Sequence, residues 1–157
     1  MSSSMFQWTG FLIPFVASAG SLISGIVSDR FFQGRRAPVA AGIYFLEVLV
    51  ILAAAQAQST LAIVVAFVAI SFTANSTHSL LGPAAAMDIG GRKMAAFASG
   101  VIDAFQYLGA SIALKFLGYF LDRSWTYYFY YMVPFGIIGG LLMLSIANRT
   151  SLKKGAA

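Results

Sequence analysis

The chain has 157 residues, 59% of them hydrophobic and only 10% charged, with a mean hydropathy of +0.82. Soluble domains carry about 25% charged residues, so an ordinary soluble domain is excluded and an all-α membrane protein is indicated. The absence of cysteine excludes disulfides and thiolate metal sites, and the formal charge of +5 is dispersed among loops, which fits membrane topology and not a nucleic-acid surface.

Five apolar runs approach the roughly 20 residues that a spanning helix needs. The first covers about residues 7–27 and carries two pairs of small residues at four-residue spacing, Gly20 with Ser24 and Ser21 with Gly25. Such pairs let helices approach closely. The run ends in a charge knot that packs Asp29, Arg30, Arg35 and Arg36 into eight positions. The second run, about 37–55, has Glu47 at its middle. An acid facing lipid there is costly, so Glu47 is expected to turn inward or be protonated, with a structural partner on a neighbouring helix the favoured reading.

After the polar turn "QAQS", the third run covers about 60–81. Ser71, Asn75, His78 and Gly82 fall on one face of it, and the pair Gly82-Pro83 is expected to break the hydrogen-bond ladder and kink the helix. The fourth run covers about 94–120. Asp103, Gln106, Tyr107 and Ala110 lie on one helical face, whereas Lys115 stands about 18 Å along the axis and about 120° around from Asp103. The fifth run, about 127–147, follows the aromatic stretch "RSWTYYFYY", residues 123–131, which reads as an interfacial anchor.

Lys and Arg set the orientation. With the knot inside, Arg30, Arg35, Arg36, Arg92, Lys93, Arg149, Lys153 and Lys154 are all cytoplasmic, and Arg123 alone is outside. The N-terminus is then outside and the C-terminus cytoplasmic. Nothing before Met5 would direct a first helix to start outside, which leads us to expect a piece of a longer chain.

The knot reads G-x-x-x-D-R, three residues, then G-R-R, matched by Gly25, Asp29, Arg30, Gly34, Arg35 and Arg36. This resembles the signature loop of the major facilitator superfamily, between the second and third helices of each six-helix half. The longer spacing before "GRR" is similar to that of the organophosphate:phosphate antiporters, which include hexose-phosphate and glycerol-3-phosphate transporters and a related sensor. The stretch at residues 80–111 supports it through Gly82-Pro83, Asp88, Arg92-Lys93, Gly100 and "YLG" at 107–109. The resemblance implies a partial C-terminal bundle, helices eight to twelve, in a bacterial inner membrane. It also implies a peripheral second run and a fourth run that lines the pathway.

Under that resemblance the knot is a cytoplasmic gating motif whose charges hold one packing and release in another; the plainer reading is a set of positive-inside anchors. Asn75, His78, Asp103, Gln106, Tyr107 and Lys115 are substrate-pathway candidates, because ionisable residues at membrane depth are functional by default. Lys115 either meets a phosphoryl group or snorkels to the interface. His78 either relays a proton or ties helices together.

The function implied is part of a secondary transporter that exchanges an organophosphate for inorganic phosphate by alternating access. A transporter-like sugar-phosphate sensor and a non-transporting membrane fragment are the alternatives. The partners implied are the lipid bilayer, a phosphorylated small molecule, and the absent N-terminal helices or a second chain. In the family the phosphate-clamping arginines come from the first helix of each half, so the chain alone is not expected to transport. No H-E-x-x-H pattern, Walker loop or nucleophile elbow is present, so no enzyme, metal, cofactor or nucleic-acid role is expected.

Overall fold

The computed structural model describes residues 3–154 as helices joined by short turns. The helices are α1 (Ser3–Phe31), α2 (Arg36–Ala55), α3 (Thr60–Ser79), α4 (Ala85–Leu121) and α5 (Trp125–Lys154), with a π-turn at Leu80–Ala84 between α3 and α4. Among the described residues, five segments are long and apolar enough to cross a membrane: Gln7–Phe31, Arg36–Ala55, Thr60–Met87, Lys93–Leu121 and Trp125–Ala147.

Local chemistry explains the ends. The α1 helix carries Asp29 and Arg30 on its last turn and stops where Gln33 and Gly34 take left-handed φ of 55° and 76°. The Gly34 N–H then closes back on the Ser28 carbonyl at 2.9 Å, satisfying one of the carbonyls a helix end leaves open. The knot is therefore mostly helix: only residues 32–35 lie outside α1 and α2. Ser59 caps α3 by accepting from the Ala62 N–H at 3.2 Å. Gln56, just past α2, donates to the Tyr130 hydroxyl at 2.8 Å and ties that turn to α5.

The expected kink at Gly82-Pro83 takes a different form. Pro83 sits inside the π-turn, whose wider winding accommodates a residue without an N–H while the helix runs on. The sharp break lies further on, at Gly91, with φ 57° and ψ −175°. The return limb of α4 brings Asp103 Oδ1 to 3.9 Å from where a Cβ on Gly82 would stand.

Packing centres on α2, which meets α5 most broadly and α3 next, while α1 lies along α3. In this five-helix bundle α2 is thus central, not peripheral, with a larger buried share than any of the other four spans. One core cluster joins Ile51 and Ala54 of α2 to Ala66 of α3 and Phe129 of α5. A second, at the knot end, joins Val39, Ala40 and Leu80, with Val27 and Met143 against them. The aromatic stretch is divided accordingly: Trp125 and Tyr127 are exposed, but Phe129 is buried.

Glycines set two helix seams. A Cβ on Gly136 would stand 2.6 Å from Val48 Cγ2, and one on Gly140 would stand 2.8 Å from the Phe45 ring, so α5 approaches α2 through glycines four residues apart. A Cβ on Gly20 would stand 2.5 Å from the Phe72 carbonyl oxygen of α3. Beside it, Ser21 Oγ donates to the Asn75 carbonyl at 3.2 Å and Ser24 Oγ to the Ser76 carbonyl at 3.4 Å. Of the two small pairs in α1, Gly20 with Ser24 forms the tight face, while Gly25 meets open space.

Candidate functional site

The charges of the knot separate once folded. Asp29 Oδ1 pairs with Arg36 Nη1 at 3.3 Å, joining the last turn of α1 to the first residue of α2. Arg35 turns its Nε to the Phe32 carbonyl at 3.3 Å, and Arg30 is exposed. An acid on a helix C-terminal turn is disfavoured by the helix dipole. The guanidinium at the start of α2 and the positive end of that helix both offset this.

A cavity of about 1050 Å³ opens beside the knot. Arg35 and Arg36 form part of its rim, and Leu81 and Ala85, from the π-turn and the start of α4, form one wall. The opposite walls are Ile102, Phe105 and Gln106 of α4 with Leu142 and Met143 of α5. Gln106 Oε1 is buried there without a hydrogen-bond partner. The fold therefore places Gln106 with the knot arginines, 70 residues away in sequence.

That placement divides the polar face expected on α4. Gln106 lines the cavity it shares with the arginines and Ala110 the one it shares with α2, whereas Tyr107 is 70% exposed. Asp103 is half-buried near Gly82. Lys115 is exposed one face further round and, among the described residues, meets no carboxylate. His78 is exposed on α3. Asn75 is half-buried, and its amide donates back to the Ser71 carbonyl at 2.9 Å, so its side chain serves the helix it belongs to.

Glu47 turns inward as expected. It lines a second cavity of about 390 Å³ between α2, α4 and α5, with Tyr44 and Tyr131 as the other polar side chains and aliphatic walls from Ala110, Leu114 and Leu117.

Comparison with known proteins adds to this geometry. Residues 1–156 match the Major Facilitator Superfamily. The chain belongs to that superfamily. It is also 32% identical over 126 residues to a glycerol-3-phosphate transporter of Bacillus subtilis (strain 168), an alignment that takes in 76% of this chain and 28% of that protein. The chain thus spans little more than a quarter of that relative's length. No solved structure matches significantly.

Superfamily members are transporters, not enzymes, and the helical bundle with five candidate spans agrees with membership. Some contributors to the site were not read from the sequence. Tyr44 was detectable as an aromatic hydroxyl one turn before Glu47 on the same face. The Gly136, Gly139 and Gly140 cluster was detectable as small residues at four-residue spacing. The cavity that Gln106 shares with Arg35 has no local signal, because tertiary packing alone creates it.

Proposed function

We propose that the chain supplies helices eight to twelve of a secondary transporter that exchanges an organophosphate, of the sugar-phosphate or glycerol-3-phosphate kind, for inorganic phosphate. The similarity to the glycerol-3-phosphate transporter of Bacillus subtilis supports the substrate class. The observation that carries the mechanism is the Asp29–Arg36 pair. It bridges two helix ends with a half-exposed contact, strong enough to favour one packing and weak enough to release. Surface pairs of this kind contribute about 0–1 kcal/mol, a fitting size for a contact that must break in each cycle.

In this reading the outer side of α4, with Asp103, Tyr107 and Lys115, faces the substrate pathway with His78 of α3 nearby. Further helices, in a longer chain or a second one, cover it and contribute the phosphate-clamping groups. Lys115 offers the cation for a phosphoryl group. The excess of Lys and Arg on the knot's side of the spans supports a cytoplasmic knot.

Exchange of labelled phosphate for glycerol-3-phosphate in proteoliposomes tests the reading. Full-length twelve-helix protein carrying this segment is expected to exchange, and Asp29→Asn is expected to slow exchange while leaving substrate affinity within about threefold. Binding without exchange by the intact protein, or exchange indifferent to Asp29→Asn, would refute it.

A further inference from the structure

The cavity beside the knot is built for a ligand other than a small phosphate ester. We infer that it is a binding site for an anionic phospholipid, with the phosphodiester on Arg35 and Arg36 and an acyl chain along the apolar walls.

Four observations lead there. At about 1050 Å³ the cavity is at the top of the range of small-molecule sites and far larger than a phosphate group needs. Its charged and apolar parts are separated: the arginines lie at one end of α2, while Phe105, Leu142 and Met143 wall most of the remainder, with the neutral amide of Gln106 among them. A sugar phosphate seated there could pair a hydroxyl with Gln106 but would press most of the others against aliphatic and aromatic carbon and leave them unpaired, whereas an acyl chain meets those walls at no such cost. Arginine binds phosphate oxygens in a bidentate fork, and a basic recess between spanning helices is a recurrent recognition mode for anionic headgroups. Among the described residues, Arg35 meets no carboxylate, so its charge is available even while Arg36 holds Asp29.

Gln106 supplies the depth marker. Its buried, unpartnered Oε1 lies in the same cavity. In the amide's flipped orientation the NH₂ group occupies that position and donates to an ester carbonyl of the lipid. A lipid in this site spans from the α1–α2 turn to the middle of α4, packing α2 and α5 against α4 where their direct contact is sparse.

Native mass spectrometry of the 157-residue chain released from micelles tests this, with phosphatidylglycerol and phosphatidylcholine of the same acyl chains supplied in equal amounts. Retained phosphatidylglycerol is expected to exceed phosphatidylcholine at least about tenfold. Arg35→Gln, which spares the Asp29–Arg36 pair, is expected to reduce that preference to within about threefold. Leu142→Trp fills the apolar side without changing charge and is expected to reduce phosphatidylglycerol retention at least about fivefold. Leu142 is 56% exposed, so the larger ring does not disturb a core. Millimolar glycerol-3-phosphate, a headgroup without chains, is expected not to displace the lipid. Equal retention of the two lipids, an unchanged preference in Arg35→Gln, unchanged retention in Leu142→Trp, or displacement by glycerol-3-phosphate would each overturn the inference. The last result would assign the cavity to free phosphate esters instead.

Discussion

Gly136→Ala isolates the packing on which the bundle depends. The added methyl would stand 2.6 Å from Val48 Cγ2, while the next atoms, the Tyr44 carbonyl oxygen and Val48 Cβ, are at ordinary distances of 3.6 and 3.9 Å. One methyl group thus makes the whole clash. Valine cannot swing it away, because a β-branched side chain in a helix has one strongly preferred rotamer, and Val48 is buried. The α2–α5 seam must open instead, and overpacking of this kind costs about 1–3 kcal/mol. Val48→Ala alone leaves a gap beside Gly136 and costs about 1–2 kcal/mol by the lost methyls. In Gly136→Ala/Val48→Ala the new methyl occupies the space Val48 vacates. The double variant is expected to be more stable than the sum of the single effects by about 1–2 kcal/mol, a coupling typical of residues in contact. Reversible unfolding in mixed micelles, followed by far-ultraviolet circular dichroism, measures it. Additive effects would show that α5 does not approach α2 through Gly136.

Gly20→Ala is expected to destabilise more than Gly25→Ala in the same unfolding assay, by about 1–3 kcal/mol, because its methyl meets the Phe72 carbonyl of the backbone whereas Gly25 faces open space; equal effects would refute the α1–α3 seam. Single cysteines at Gln33 and Ser59, in the turns at either end of α2, are expected to react with impermeant maleimide from opposite sides of the membrane, and same-side labelling would overturn the topology. Lys115→Gln in the full-length transporter is expected to weaken sugar-phosphate affinity about ten- to a hundredfold, as loss of a charge-assisted contact of about 1.5–3 kcal/mol implies. A shift under about threefold in equilibrium binding would return Lys115 to the interface.

The spans were legible because a run of some twenty apolar residues is a complete signal: the bilayer supplies the rest of the argument. The knot was legible because its residues are adjacent, and folding merely selects Arg36 among three arginines as the partner of Asp29. What the sequence left open is rotational. Gln106 and Tyr107 are adjacent and so about 100° apart on the helix; a neighbour on either side puts one of them inward and the other outward. The structure turns Gln106 in and Tyr107 out, and no periodicity within α4 decides that. Pro83 shows the same limit in the backbone, since a proline after glycine predicts disruption of the ladder but not whether a kink or a wider turn absorbs it.

The helix α4 carries the argument for what surrounds this bundle. None of the residues in its most apolar window is buried by the other four helices, and it packs mainly on the π-turn and α5. An Asp or Lys at the centre of a lipid-facing helix costs about 2.5–3.5 kcal/mol on insertion scales, and snorkelling relieves only a residue near an interface. Asp103 lies about 15 Å along α4 from Lys93 and about 27 Å from Leu121, counting 1.5 Å per residue, so its short side chain reaches neither end. Lys115 is about one and a half turns from Leu121, and its long side chain reaches the interface more easily. Asp103 is therefore the residue that most needs a polar neighbour, yet among the described residues it makes no ion pair. The simplest environment that satisfies it is water or protein on the open side of α4, where Tyr107 also points. Such a neighbour would serve the reading proposed above, in which this part of α4 faces a substrate pathway; the same helix also leaves Phe105, Leu108 and Ile112 exposed, so its uncovered surface is apolar as well as polar.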